Sequence, residues 1–411
     1  MEIIEGGITA VQGFSAAGGA AGIKKNGSMD MALIKSSVPC KAAGTFTTNV
    51  VKAAPVIWDR TLTEQGAEVS VIVVNSGVAN ACTGEEGLGY CRQTAEEAAE
   101  VFGLAPEAVL VASTGVIGQQ IPIDKIKGGV RMLAGKLEDG IGAGTQAAQA
   151  IMTTDTVSKE AAATVRLTDG TFVTIGGCCK GSGMIHPNMC TMLCFIGTDA
   201  CISRKALQAA LSSVVPDTFN MVSVDGDTST NDTCLLLANG LAGNAEIAED
   251  TEDTEDWKLF REGLLEVCTR LAKMMAKDGE GATCLFECRV IHAETKEQAK
   301  ILARSVVSST LTKAAVAGHD ANWGRILCAM GYSGAKFIPE QVDLFLASSG
   351  GRIQILRNGV AADYSEEKAT EILSGDEILC TADLKLGEAS ASAWGCDLTH
   401  EYVSINADYR S

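Results

Sequence analysis

The chain contains 411 residues, 46% of them hydrophobic, and carries a formal net charge of −18. This size and composition allow one large or two medium-sized domains with a real hydrophobic core. The acidic balance argues against nucleic acid or an anionic membrane surface as a partner, because either would require a basic patch. We therefore expect small molecules as ligands.

The cysteines point to a reducing compartment. The 15 cysteines and 4 histidines are scattered through the chain without a Cys-x-x-Cys pair, so neither a zinc site nor a redox dithiol is expected. Many of the cysteines lie inside apolar runs, as at 284–288, which is typical of reduced core residues. The N-terminus lacks the features of a signal peptide, and no apolar stretch is long enough to span a bilayer. A cytoplasmic location is the resulting prediction.

Hydrophobic periodicity predicts alternating strands and helices along the whole chain. Short strands between glycine-rich turns, with few helices, are expected in residues 1–60. Strands are predicted at 31–34, 44–49, 68–75, 109–113, 163–167, 171–175, 284–293, 342–347, 353–356 and 400–405. Helices are predicted at 87–103, 123–135, 144–152, 204–215, 257–275, 296–317 and 365–373. This alternation without regular crossovers predicts an α/β or α+β layered fold with mixed strand pairing.

One stretch combines several chemically suggestive features. Residues 180–183 form a glycine-rich turn that begins with Lys180, Pro187 stiffens the following linker, and Thr191 stands at the start of an apolar strand. The turn lacks the glycine spacing of a Walker motif, and the sequence contains no Gly-x-Ser-x-Gly elbow. Phosphate chemistry and a Ser-His-Asp triad of the α/β-hydrolase type are therefore disfavoured.

A threonine that follows a constrained loop can act by another route. Its hydroxyl attacks the preceding carbonyl and frees the threonine as a new N-terminus. The new α-amine, with a reference pKa near ~7.7–8, then serves as the general base. Thr191 would need no histidine for this chemistry, and His186 is better interpreted as a turn residue. It would need oxyanion donors, which Thr114 and Gly115 could supply with a hydroxyl and an amide.

Residues 180–193 resemble the autoprocessing junction of the ornithine acetyltransferase family, some of whose members are bifunctional. The resemblance covers essentially the whole chain, in order. Further matching motifs lie at 44–49, 75–77, 79–84, 113–118, 153–156, 225–233, 278–283, 322–325 and 402–407. Several of these motifs are long enough that coincidence is negligible.

The resemblance assigns roles to individual positions. It implies that Thr191 is the nucleophile, released by cleavage between Cys190 and Thr191, which gives an α chain of residues 1–190 and a β chain of residues 191–411. Thr114 and Gly115 match the oxyanion pair. Substrate-contacting positions are matched by Thr156, Lys180, Thr191, Glu280, Asn406 and Ser411, with Thr154 left open as the alternative to Thr156. Lysine can pair with a carboxylate and glutamate with an ammonium group, which suits an amino-acid ligand.

The same resemblance implies an activity and an assembly. The activity is a glutamate N-acetyltransferase of the cyclic acetyl pathway of arginine biosynthesis, which moves acetyl from N2-acetylornithine to glutamate by a ping-pong mechanism through acetyl-Thr191. The implied fold is a mixed-sheet layered sandwich like that of self-processing aminopeptidases, with the two chains interleaved in one catalytic unit. An α2β2 heterotetramer or a multiple of it is expected, with no cofactor, and acetyl-CoA stays open as a second acetyl donor.

Two other functions stay open at this point. An N-terminal-nucleophile aminopeptidase or amidase would use the same self-cleaved threonine but pass the acyl group to water. A non-catalytic amino-acid-binding protein would keep an intact polypeptide and show no turnover. The sequence departs from the family pattern at Cys190, which is usually alanine, and at Val78, which is commonly asparagine; neither departure removes a catalytic group.

Overall fold

The computed structural model describes residues 1–186, 192–248 and 254–408. The chain divides into two compact units, each assembled from separate segments. The first unit consists of Met1–Gly181, Asn188–Pro216 and Thr228–Leu271, and the second of Ser182–Pro187, Asp217–Asp227 and Ala272–Ser411. This division is spatial, and the expected break between residues 190 and 191 stays a prediction.

The strands are numbered in chain order. They are Glu2–Ile4 (β1), Phe14–Gly19 (β2), Met31–Phe46 (β3), Val69–Val78 (β4), Val109–Val116 (β5), Lys159–Arg166 (β6), Phe172–Lys180 (β7), Leu193–Thr198 (β8), Val222–Ser223 (β9), Thr233–Ala238 (β10), Leu285–Ala293 (β11), Asp343–Ser348 (β12), Gly351–Arg357 (β13), Val360–Ala361 (β14), Glu377–Asp383 (β15) and Ala389–Cys396 (β16).

The α-helices are numbered in the same way. They are Ala54–Gln65 (α1), Gly84–Phe102 (α2), Ile123–Ala134 (α3), Ile141–Ala150 (α4), Arg204–Val214 (α5), Glu255–Lys277 (α6), Lys296–Ser308 (α7), Thr310–Ala317 (α8), Trp323–Gly331 (α9), Glu366–Leu373 (α10) and His400–Ala407 (α11). In the part of the chain that the structure describes, no helix is long and apolar enough to cross a membrane.

The first unit contains a mixed sheet, with 9 strands among the described residues. Their order is β1-β6-β7-β8-β10-β3-β4-β5, and β2 pairs with β3. The pairs β8–β10 and β4–β5 are parallel, whereas β7–β8 and β3–β10 are antiparallel. The prediction of mixed strand pairing in an α/β fold is confirmed.

Apolar side chains cover both faces of the β3–β5 part of this sheet. Successive residues of a strand point to opposite faces, so Leu33 and Val73 pack with residues of α2 and α3. Ile34 and Ile72 point the other way, into a second core that also contains Phe195 of β8. Burial on both faces explains why these strands are continuous apolar runs in the sequence rather than alternating ones.

Glycines allow the layers of the first unit to approach closely. A Cβ atom at Gly197 of β8 would lie 2.9 Å from the ring of Phe14 of β2, although β2 and β8 are not hydrogen-bonded neighbours. Similarly, Gly263 of α6 lies against Val165 of β6 and Ile175 of β7. Strands therefore stack on strands and a helix covers the sheet, which is the layered arrangement predicted from the sequence.

The second unit is built on its own mixed sheet, with 7 strands among the described residues in the order β14-β13-β12-β15-β11-β16-β9. The pairs β11–β15 and β16–β9 are parallel. Helix α7 packs on β16, where a Cβ atom at Gly395 would meet Val307 at 3.2 Å. A two-residue strand, β9, holds the 222–223 segment at the edge of this sheet.

Several predicted elements differ from the observed ones. The predicted strand at 400–405 is wrong, because these residues form α11, whose first turn is capped by the hydroxyl of Thr399 accepting from the backbone N–H of Glu401. No residue of this helix is buried, so its alternating apolar pattern does not correspond to a buried strand face. Helix α1 was not predicted, although Pro55 in its first turn is a recognised start signal.

Two further boundaries depend on single residues or on tertiary pairing. The predicted helix at 296–317 is two helices, because Ser309 adopts an extended conformation and its hydroxyl caps α8 by accepting from Thr312 N–H. The predicted strand at 31–34 and the first half of the predicted strand at 44–49 belong to one 16-residue strand, β3, which ends at Phe46. This strand pairs with β4 in its first half and with β10 in its second half.

Candidate active site

Lys180 is a buried cation at the end of β7. Only 2% of the surface of Lys180 is exposed to solvent. Its Nζ donates to Thr153 Oγ1 at 2.7 Å and to Thr114 Oγ1 at 3.5 Å. The carboxylate of Asp155 lies 3.8 Å away. Three predicted motifs that are distant in the sequence, at 113–118, 153–156 and 180–183, therefore meet around one ammonium group.

Asp155 organises this group of residues. Its Oδ1 accepts from Lys159 Nζ at 2.7 Å and from the backbone N–H of Gly181 at 2.6 Å, while Oδ2 accepts from Thr153 N–H at 3.0 Å. Burial by itself would raise the pKa of Asp155, but the ammonium groups of Lys180 and Lys159 hold this pKa well below its usual range. The group is therefore ionised. Asp155 was not predicted as a site residue from the sequence, although it lies inside the 153–156 motif.

Thr114 and Gly115 lie near the end of β5, paired with β4, and the backbone at position 115 accepts only glycine. Gly115 has φ of 130°, and a Cβ atom there would overlap the backbone of Gly77 on the neighbouring strand β4. This part of β5 is held by Asn231, whose amide donates to the carbonyl of Ser113 at 2.7 Å. The predicted oxyanion pair thus lies on a rigid strand end.

Thr156 lies at the surface, at the edge of an open cavity of ≈ 560 Å³ that Lys24, Thr153 and Asp155 also line. Lys24 was missed by sequence analysis, since no motif contains it. Its Nζ donates to the carbonyls of Met29 and Met152 at 2.9 and 2.7 Å. Burial lowers the pKa of Lys24, and the nearby ammonium of Lys180 lowers it further.

Three of the predicted site residues, Cys190, Thr191 and Ser411, lie outside the described residues. The chain is described again from Met192, and the register of the sheet pairs Leu193, the first residue of β8, with Lys180. The segment that directly follows the predicted nucleophile therefore lies beside the buried lysine.

Glu280 and Asn406, both in the second unit, also come together. The carboxylate Oε2 of Glu280 accepts from Asn406 Nδ2 at 2.7 Å, and the backbone N–H of Glu280 donates to the carbonyl of Ser182 at 2.8 Å. A Cβ atom at Gly183 would overlap the Glu280 carboxylate. Glycine at position 183 therefore makes room for this carboxylate.

His186 has a hydrogen-bond partner within its own unit, the second one. Its Nδ1 lies 3.1 Å from Ser223 Oγ, and the adjacent Ile185 donates its backbone N–H to Asp225 Oδ1 at 3.0 Å. Burial lowers the pKa of His186, and Arg304 lowers it further. These contacts hold the 185–186 segment against Ser223 and Asp225 within the second unit.

The layered mixed-sheet fold thus holds a buried, charge-paired lysine beside the Thr114–Gly115 segment of β5, an arrangement that suits an enzyme of the acyltransferase class. The chain belongs to the ArgJ family, whose model matches residues 15–411. It is 52% identical over 413 residues to the arginine biosynthesis bifunctional protein ArgJ of Symbiobacterium thermophilum, with 100% of both chains covered. The protein of the same name from Thermotoga neapolitana is 49% identical over 402 residues, covering 97% of this chain and 99% of its own. The predicted family, and with it an acyltransferase of arginine biosynthesis, is confirmed.

Two solved structures are also similar to parts of the chain. The arginine biosynthesis bifunctional protein of Bacillus halodurans is 44% identical and covers 51% of this chain and 95% of its own, with a TM-score of 0.48. The ornithine acetyltransferase of Mycobacterium tuberculosis, solved in complex with ornithine, is 38% identical and covers 46% of this chain and 98% of its own, with a TM-score of 0.42.

Proposed function

We propose that this protein is a glutamate N-acetyltransferase that moves the acetyl group of N2-acetylornithine to glutamate through an acetyl-Thr191 intermediate. The observation that carries the proposal is the pairing of Leu193 with Lys180 together with the contact of Lys180 with Thr114. A buried cation and a predicted oxyanion donor thus lie next to the strand that follows Thr191.

The first half-reaction uses the α-amine of Thr191 as the base. This amine takes the hydroxyl proton as Oγ attacks the acetyl carbonyl of the donor. The negative charge that develops on the carbonyl oxygen is stabilised by the Thr114 hydroxyl and the Gly115 amide, and losing one such donor typically costs ~3–4 kcal/mol. The C–N bond then breaks, the proton passes to the departing amine of ornithine, and the acetyl group stays on Thr191 as an ester.

The second half-reaction runs the steps of the first in reverse, with glutamate in place of ornithine as the amine. The α-amine of glutamate attacks the acetyl-Thr191 ester, the same donors stabilise the oxyanion, and the Thr191 oxygen leaves with a proton from the attacking amine. Because ornithine leaves before glutamate reacts, the mechanism is ping-pong.

The charges of the site suit amino-acid substrates. The carboxylate of Asp155 faces two ammonium groups, those of Lys159 and Lys180, so this group of three keeps a net positive charge. We propose that this positive charge binds a substrate carboxylate and stabilises the oxyanion. Glu280, held by Asn406, supplies the negative charge for a substrate ammonium group. Thr156 and Ser411 complete the proposed contacts.

The proposal includes the maturation and assembly of the protein. The chain cleaves itself between Cys190 and Thr191, the products assemble as an α2β2 heterotetramer or a multiple of it, and the enzyme works in the cytoplasm without a cofactor. Acetyl-CoA is a candidate second acetyl donor. Its use is tested by replacing N2-acetylornithine with acetyl-CoA in the assay with glutamate.

Initial-rate kinetics and intact mass test the main proposal together. The wild-type protein is expected to run as two chains on a denaturing gel, to give parallel lines in double-reciprocal plots, and to lose transfer in the Thr191→Ala variant. One unbroken 42.7 kDa chain in the active wild type, or full activity of Thr191→Ala, would refute it. Release of free acetate in place of N-acetylglutamate would identify an amidase instead.

A further inference from the structure

Lys313, in the second unit, is a buried cation that no carboxylate neutralises. Among the described residues, three lysines are buried, namely Lys159, Lys180 and Lys313. The first two form ion pairs with Asp155, whereas Lys313, at 3% exposed, forms none with any described residue. Its Nζ donates to the carbonyl of Cys396 and lies 3.4 Å from the sulfur of that residue. Because an ammonium has three donors and a buried charge without a counter-ion is costly, these contacts alone do not account for it.

The two carboxylates nearest to this lysine in the fold are already used by other groups. Asp397 is buried and accepts from the backbone N–H and the hydroxyl of Thr283, both at 2.7 Å, and from Cys284 N–H at 3.2 Å. Asp225 accepts from three backbone N–H groups, those of Met184, Ile185 and Asp227. The positive charge of Lys313 is therefore left for a partner from outside the chain.

Lys313 lines a cavity of ≈ 750 Å³ in the second unit, a volume within the usual range of small-molecule sites. Ser308 lines the same cavity, and its Oγ is buried without a hydrogen-bond partner in the part of the chain that the structure describes. Apolar side chains form much of the remaining wall, among them Val224, Ala317, Leu398 and Val403. A cation and an unpartnered hydroxyl in an otherwise apolar cavity suit the oxygens of one anion.

Two helices begin at this cavity. Thr310 is the first residue of α8 and His400 the first residue of α11, and both line the cavity. Helix N-termini carry a partial positive charge and favour anions. Lys313 stands in the first turn of α8, where the same partial charge repels an ammonium. An anion in the cavity would relieve this repulsion.

We propose that this cavity binds a small monoanionic carboxylate with an apolar chain, whose carboxylate group is held by Lys313 and Ser308. A monoanion fits better than a phosphate dianion, because a single ammonium lines the cavity and the carboxylate of Asp225 lines it as well. The apolar wall takes the chain of the ligand. The inference concerns the second unit alone and does not depend on acetyl transfer.

Calorimetric titration of the full wild-type chain with acetate, butyrate and hexanoate tests the site. Hexanoate is expected to bind saturably, at one site for each 411-residue chain. The affinity is expected to rise about fourfold for each added methylene group, as burial of apolar surface predicts. Inorganic phosphate is expected to bind more weakly than hexanoate. Absence of saturable hexanoate binding, an affinity independent of chain length, or tighter binding of phosphate would overturn the inference.

A pair of charge variants tests the assigned cation. Lys313→Met removes the ammonium group, and the affinity for hexanoate is expected to fall at least about tenfold. The control is Lys300→Met. Lys300 also belongs to the second unit, but it pairs with Asp217 and is not among the described residues that line the cavity. The control should retain wild-type affinity within about twofold. Equal losses in both variants, or no loss in Lys313→Met, would contradict the assignment.

A second pair of variants covers a failure of Lys313→Met to fold, which thermal melting detects. Ala314 lines the cavity from an exposed position of α8, so Ala314→Phe fills the cavity without disturbing the core. Leu311→Phe is the control, since Leu311 is 61% exposed on the same helix and outside the described lining. Hexanoate binding is expected to be lost in Ala314→Phe and kept in Leu311→Phe. Binding by Ala314→Phe at wild-type affinity would show that hexanoate lies elsewhere and would overturn the inference.

Discussion

Replacing Asp155 by asparagine tests the charge balance on which the proposed site depends. Asparagine has the same shape but removes the negative charge that faces Lys159 at 2.7 Å and Lys180 at 3.8 Å. At an effective dielectric constant of ~20, the attraction lost is about 6 kcal/mol for the pair with Lys159 and about 4 kcal/mol for the pair with Lys180. Desolvation of the charges offsets part of it, and breaking a buried ion pair typically costs ~3–5 kcal/mol net.

We expect Asp155→Asn to lower the melting temperature by roughly 6–10 °C, since about 1 kcal/mol corresponds to about 2 °C or more in a unit of this size. The control is Glu246→Gln. This variant breaks the pair with Lys41, whose side chains are 40% and 49% exposed, and should change stability by less than about 1 kcal/mol. A shift for Asp155→Asn no larger than that of the control would show that the buried charges do not stabilise the unit.

The stability difference between wild type and Asp155→Asn should also change with pH in a defined direction. The pKa of Asp155 is depressed in the folded protein, so its contribution to stability is complete above its unfolded value of about 3.9 and is lost as the pH falls further. The difference in melting temperature between wild type and Asp155→Asn should therefore be constant near neutral pH and shrink below about pH 4. A difference that grows as the pH falls would contradict the argument.

Two further predictions concern the site itself. Lys180→Met removes the cation next to the proposed oxyanion pair, and kcat/KM for acetyl transfer is expected to fall about 100- to 1000-fold, without rescue by Lys180→Arg. A loss under tenfold would exclude the proposed role. Gly183→Ala places a methyl group against the Glu280 carboxylate, which can rotate away, so we expect a change in stability under about 1 kcal/mol but at least a tenfold rise in KM. An unchanged KM would show that this carboxylate does not bind substrate.

The sequence predicted the central elements of the fold because their burial is uniform. Strand β4 is buried on both faces and contains the continuous β-branched run 71–74, which was sufficient to predict it. Helix α11 was predicted wrongly because none of its residues is buried, and an exposed segment leaves no reliable hydrophobic period. Strands β15 and β16 were not predicted; in β16 the first residues are partly exposed, which weakens the alternation.

The candidate site was predictable only in part, for a different reason. Lys180, Thr114 and the 153–156 loop were found through a family resemblance, and the structure brings them together. Asp155 and Lys24 were not found, because an aspartate in a polar loop and a lysine in a glycine-rich segment carry no local signal of burial. Whether such a residue is a solvated charge or a buried partner depends on what packs against it.

The sequence by itself determined the family, the layered mixed-sheet class and the stretch that carries the chemistry, since these depend on motif identity and on the period of apolar residues. Only the tertiary structure decided which charges face one another. Strand register pairs Lys180 with Leu193 and brings Asp232 against Met192, 40 positions away. Contacts across such distances arise from the pairing of β7, β8 and β10, and no local pattern in the sequence records them.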